Sequence, residues 1–241
     1  MFGLLWIKTV TDLIMKQILL NAIVFLAFFH PCSAQKLKTF KGHCGGFYTT
    51  MDDLLKQKAK ELDFYHFQAG QTVASIGAQC CHWEAAYAAT TDSVDFYLED
   101  IDSTYFNEQQ AAFAWNYYNT VRSHPITSTY HLVLGDEKKT NLPGRLFDKI
   151  LIINSFHEFS YQKEMLEDIA HKLKPGGLLY IDEALARKSG ELHGVCKKRI
   201  YLEEELIAIL KENGYEYVDG ITMNYRKSKP VRKIFAFIKN Y

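Results

Sequence analysis

A chain of 241 residues, 48% hydrophobic and 14% aromatic, is long enough to bury one α/β domain and too apolar to be disordered. Its 28 basic and 28 acidic side chains cancel, and no long run of one sign breaks the balance. That excludes a nucleic-acid surface built on phosphate neutralisation. No repeat of solenoid length recurs, so the expected partner is a small molecule.

The first 34 residues read as a sorting leader. Met15-Lys16-Gln17 opens a charged start, Ile18 to Phe29 is an apolar run, and Pro31-Cys32-Ser33-Ala34 ends in small residues, with cleavage expected after Ala34. The run is short of the roughly 20 residues that span a bilayer, so export to the periplasm or outside is expected. The alternative is a membrane anchor formed by an uncleaved leader. Residues 35–50 read as a Gly-rich linker and 51–241 as the folded domain. Cys44, Cys80, Cys81 and Cys196 remain after the cut. A bridge from Cys44 to Cys80 or to Cys81 is open, whereas neighbouring Cys80 and Cys81 are poorly placed for each other. His43-Cys44 and Cys80-Cys81-His82 do not have the spacing of a zinc finger or ribbon, and no metal is expected.

Thr50-Met-Asp-Asp53 reads as a capping box opening a helix with Leu54, Leu55, Ala59 and Leu62 on its apolar face. Val73 to Ile76 is a short buried strand, Gly77 a turn, and Cys81 to Ala89 a helix packed back on the strand. Val94 to Leu98 forms a second strand ending in Glu99-Asp100-Ile101-Asp102, and Asn107 to Val121 a helix. Thr129 to Leu134 and Lys149 to Ile153 are the third and fourth strands. Met165, Leu166, Ile169, Ala170 and Leu173 mark an amphipathic helix, expected to stop at the glycines of Leu173-Lys-Pro-Gly-Gly177 before a fifth strand. Arg187 to Arg199 lacks periodicity and carries His193 and Cys196, which makes it a loop. Tyr201 to Asn213 is a helix, and Tyr215 to Met223 and Arg232 to Ile238 are two closing strands. Strands alternating with helices predict a parallel sheet.

Several of these stretches together resemble the class I S-adenosylmethionine-dependent methyltransferases. The residues carrying the resemblance are the strand–Gly77–helix unit, the run Gly135-Asp136…Leu142-Pro143…Phe147-Asp148, and Leu173-Lys-Pro-Gly-Gly177. The resemblance implies a Rossmann-like methyltransferase fold: a mostly parallel seven-stranded sheet with an antiparallel last strand and helices on both faces. It implies S-adenosylmethionine as cofactor, with Ser75, Gly77 and Ala78 in the glycine loop and Asp100, or Glu99, on the ribose hydroxyls. It also places Asp136 at the adenine amino group, with Glu137 beside it, and Asn154 in the loop after the fourth strand. The chain departs from the family at Ser75, where an acid is usual, and at Gln79 and Cys81, where later glycines are usual. His157 and Glu158 are the closely paired acid/base candidates, one of which would deprotonate an acceptor, and the alternative is that His157 caps or packs locally. The function expected is methyl transfer to a small molecule, and the alternative is an exported, non-catalytic binding module of the same fold.

Overall fold

The structure is a computed structural model, and it describes residues 44–144, 146–223 and 231–240. The leader read over residues 1–34 lies outside them. Among the described residues no helix is long and apolar enough to cross a membrane.

Helix α1 (Met51–Tyr65) starts where the capping box places it, with Thr50 Oγ1 accepting from the Asp53 N–H at 3.1 Å. Strand β1 (Thr72–Ile76) leads through a loop into α2 (His82–Ala88) and β2 (Asp95–Asp100). Asn107 caps α3 (Glu108–Val121), which precedes β3 (Thr129–Leu134) and β4 (Phe147–Ile153). A single 3₁₀ turn at Phe156–Glu158 leads to α4 (Gln162–Lys172) and β5 (Leu173–Ala184). The chain closes with α5 (Glu203–Glu212), β6 (Tyr215–Thr222) and β7 (Arg232–Lys239).

The seven strands form one sheet in the order β3-β2-β1-β4-β5-β7-β6. Strands β1 to β5 pair in parallel, while β7 runs antiparallel to both β5 and β6. Successive side chains of a strand point to opposite faces, and both faces are covered. Val73, Phe96, Leu98 and Leu151 pack with residues of α1, α2 and α3. Ala74, Ile76, Ile150 and Ile152 pack with residues of α4 and α5. Double-sided burial explains why the strands read as continuous apolar runs rather than alternating ones.

One expected boundary is corrected. Helix α4 does not stop at the glycines but ends at Lys172, and β5 already begins at Leu173. Pairing with β4 jumps from Phe147↔Leu173 to Lys149↔Leu178, so Lys-Pro-Gly-Gly bulges out of the strand. Gly176 takes φ +79°, and a Cβ on Gly177 would stand 2.8 Å from the Phe147 carbonyl oxygen. The glycines serve a bulge in the strand.

From Cys44 onward, the stretch read as linker packs on the domain. Phe47 packs edge-on against Phe113 and at a tilt against Tyr117 and Tyr118, and Cys44 is joined to Cys80 in a disulfide. Of the two pairings left open by the sequence this is the one formed, and it removes both thiols from any shared metal site with His82.

Candidate functional site

Parallel strands deliver their carboxyl ends to one edge of the sheet, where ligands of open α/β folds bind. Here β1, β2, β3 and β4 end at Gly77, Asp100, Gly135-Asp136 and Asn154. Gly77, Asp100, Asp136 and Asn154 all line one cleft of about 540 Å³.

The loop after β1 takes glycine-like backbone conformations at positions that are not all glycine. Gly77, Gln79 and Cys81 have φ of +77°, +44° and +57°, so all three positions of the spaced motif are left-handed. A side chain there costs about 1–2 kcal/mol per residue. Only Gly77 has no alternative, since an added Cβ would meet Ser155 Oγ at 2.5 Å and Ser155 Cβ at 2.7 Å. Cys81 is buried and absent from the cleft lining, whereas exposed Gln79 stands at the lining. The Gly77 and Ala78 N–H groups both donate to the Glu99 carbonyl at 2.9 Å, tying the loop to β2.

Asp100 is held from two sides. Its Oδ2 accepts from the Gln79 N–H and its Oδ1 from the Asp102 N–H, both at 2.8 Å. Each carboxylate oxygen has a second lone pair, so the group is oriented and still able to accept from a ligand. Glu99 behaves differently. It is 1% exposed, and its Oε1 has no hydrogen-bond partner. It presses so closely on Gly135 that any Cβ there would overlap it. Burial, reinforced by the charge of Asp100, pushes its carboxyl up to about 9, so Glu99 is a neutral acid at pH 7.

Asp136 spends one oxygen on its own turn, Oδ1 accepting from the Lys138 and Lys139 N–H groups at 2.8 and 2.9 Å. Glu137 lines the cleft beside it. Asn154 adopts φ +54° and donates its N–H to the Asp182 carbonyl at 2.7 Å. Ser75 lies beneath the loop, its hydroxyl donating to Glu84 Oε1 at 2.6 Å, with both residues 1% exposed. Burial raises Glu84 to about 7 against the lowering effect of Ser75.

His157 and Glu158 part company. Glu158 lines the cleft with its side chain half exposed. The His157 side chain is wholly buried, its Nδ1 2.9 Å from Glu183 Oε2 and its Nε2 3.7 Å from Glu158 Oε1. Burial lowers its pKa, but the Glu183 hydrogen bond and charge outweigh this and leave it raised.

Sequence reasoning gave no role to Glu84 and Glu183, and weighed His82 only as a metal ligand. Glu84 brings a carboxylate from α2 to Ser75, the position where an acid is missing from β1. Glu183 orients His157 from β5, 26 residues away. His82 lines the cleft, and burial followed by the charge of Lys58 lowers it to about 4. It is neutral, and its Nδ1 has no partner. Only the position of Glu84 just after the glycine loop offered a signal. The other two depend on tertiary contacts.

Strand order, antiparallel closing strand and cleft position together define a Rossmann-like methyltransferase fold. Residues 77–181 match the family model described as a methyltransferase domain. Among solved structures, a SAM-dependent methyltransferase from Aquifex aeolicus is 18% identical with TM-score 0.57, over 79% of this chain and 100% of that one. A SAM-dependent methyltransferase from Geobacter sulfurreducens, in complex with S-adenosyl-L-homocysteine, is 12% identical with TM-score 0.57, over 77% and 91%. The [4+2]-cyclase SpnF also matches, at 17% identity and TM-score 0.55 over 78% and 80%. No curated protein matches.

Proposed function

We propose that this protein binds S-adenosylmethionine in the cleft and transfers its methyl group to a small-molecule acceptor. The observation that carries the reading is the convergence of Gly77, Asp100, Asp136 and Asn154 on one cleft, with a left-handed backbone at Gly77, Gln79 and Cys81 of the loop. Asp100 would accept from the ribose hydroxyls, and the free Oδ2 of Asp136 would accept from an exocyclic amine. With the Gly77 and Ala78 N–H groups engaged by Glu99, the loop contributes shape and close approach rather than hydrogen bonds. When bound, the cofactor supplies an electrophilic methyl on a sulfonium. Glu158, at the half-exposed edge, is placed to take a proton from the acceptor, and positioning supplies the remainder of the rate.

The protein is proposed to act after export. The charged, apolar and small-residue order of the leader supports this, as does the Cys44–Cys80 disulfide, a bond that persists in oxidising compartments. The second reading, a non-catalytic binding module, is favoured by Gln79 standing at the cleft, and a cyclase among the structural neighbours shows that this fold hosts other chemistry. Calorimetric titration of S-adenosylmethionine and S-adenosylhomocysteine separates the two. Saturable binding by the chain, lost in Asp100→Ala, is expected. A well-folded protein that binds neither compound, oxidised or reduced, sinks the methyltransferase reading.

A further inference from the structure

Beside the cleft, the segment after β5 folds back onto the 3₁₀ turn. There His157, His193 and Cys196 each present a ligand atom, all within 4.8 Å of one another. His193 Nδ1 lies 3.1 Å from Cys196 Sγ, and the two imidazole centroids are 4.7 Å apart. The His157 ring is buried with Nδ1 against the carboxylate of Glu183, which leaves Nε2 facing the cluster with no hydrogen-bond partner.

We propose that these three residues hold one divalent cation of the zinc class, with His157 Nε2, His193 Nδ1 and the Cys196 thiolate as ligands. Two imidazoles and a thiolate are a donor set that zinc favours. Zn–N distances of about 2.0–2.1 Å and Zn–S of about 2.3 Å put tetrahedral ligands near 3.3–3.6 Å from one another. The cluster reaches that spacing with small side-chain adjustments. Glu183 supplies what metal-bound histidines ordinarily have, a carboxylate on the other ring nitrogen that fixes the tautomer and raises ligand basicity. Glu158, 3.7 Å from His157 Nε2, is not one of the clustered ligands, and the fourth position is left to water on the cleft side. Binding releases the Cys196 thiol proton to solvent. The cation joins the segment carrying His193, Cys196 and the cleft-lining Lys198 to the turn after β4, and so fixes one wall of the cleft.

The test is titration of the metal-free full chain, with the Cys44–Cys80 disulfide intact and Cys196 free, with Co²⁺, read by thiolate-to-cobalt charge-transfer absorption and followed by Zn²⁺ displacement. Saturation at one equivalent is expected, with the band abolished in Cys196→Ser and kept in Cys81→Ser. His193→Ala, on an exposed segment, is expected to weaken binding at least tenfold without loss of fold. A folded wild-type chain that shows no band, or a band indifferent to Cys196→Ser, overturns the proposal. The readout needs no S-adenosylmethionine, so failure of the methyltransferase reading leaves it standing.

Discussion

Individual residues of the cleft are under opposite pressures that substitution separates. Gln79 holds a left-handed conformation that glycine adopts without strain. Gln79→Gly is therefore expected to raise stability by up to about 1 kcal/mol, the relieved strain being offset by the extra freedom of the unfolded chain. It is also expected to tighten cofactor binding by opening the cleft. Denaturant midpoints and calorimetry on the same variant check both, and weaker binding would show that Gln79 itself contacts the ligand. Glu84 and Glu99 give a pH signature. Both carboxyls are raised in the folded state, to about 7 and about 9, so the folded chain holds protons that the unfolded chain has released. Stability is then full below the unfolded carboxylate pKa of about 4.3 and declines as pH rises through 7 and on to 9, by at most about 1.4 kcal/mol per pH unit for each group. Glu99→Gln, which keeps the neutral form, is expected to flatten the fall between pH 7 and 9. Melting temperatures across that range decide it, and an unchanged slope would mean that Glu99 is not the group responsible.

At the scale of elements, α1, β5 and β7 are locked by buried charge. Arg232 Nε donates to Asp182 Oδ1 at 2.6 Å and Nη2 donates to Oδ2, while Tyr65 donates to the same carboxylate at 3.3 Å. Lys58 and Glu61, 2.8 Å apart on α1, are each 3% exposed, and Arg232 Nη1 lies 3.7 Å from Glu61. Arg232→Ala strands buried carboxylates and is expected to cost about 3–5 kcal/mol. The pair Asp182→Asn with Arg232→Met is expected to recover part of that loss in urea melts. A single variant no less stable than the pair would contradict the network. None of this was legible in the sequence, because Asp182 and Arg232 lie 50 residues apart and look like ordinary strand ends. The strands themselves were legible because burial on both faces leaves long apolar runs, and Thr50 announced its helix as a cap. Lys-Pro-Gly-Gly misled because the same residues end helices and make bulges. The backbone of the loop after β1 was not legible either: Gln79 and Cys81 stand where glycines are usual and still take positive φ.

Across the whole molecule, the glycine loop is fastened twice, and the second fastening depends on redox state. Cys80 lies between Gln79 and Cys81, and its disulfide to Cys44, 36 residues away, ties the loop to the stretch that packs Phe47 on α3. A loop of that length removes unfolded-state entropy equivalent to about 3–4 kcal/mol. Part of the strain at Gln79 and Cys81 is thereby held in place by a covalent bond of the kind that persists in oxidising compartments, which links the proposed export to the proposed cofactor site. Reduction, or Cys44→Ser, is expected to lower stability by a few kcal/mol. It should also weaken S-adenosylmethionine binding more than loss of stability alone explains, since the folded chain would lose the left-handed loop first. The comparison is made at a temperature where the reduced protein remains folded, by calorimetry beside near-ultraviolet circular dichroism. Equal affinity in the two redox states would mean that hydrogen bonds to Glu99 and Asp100 suffice to shape the loop, and that the disulfide serves the fold without serving the site.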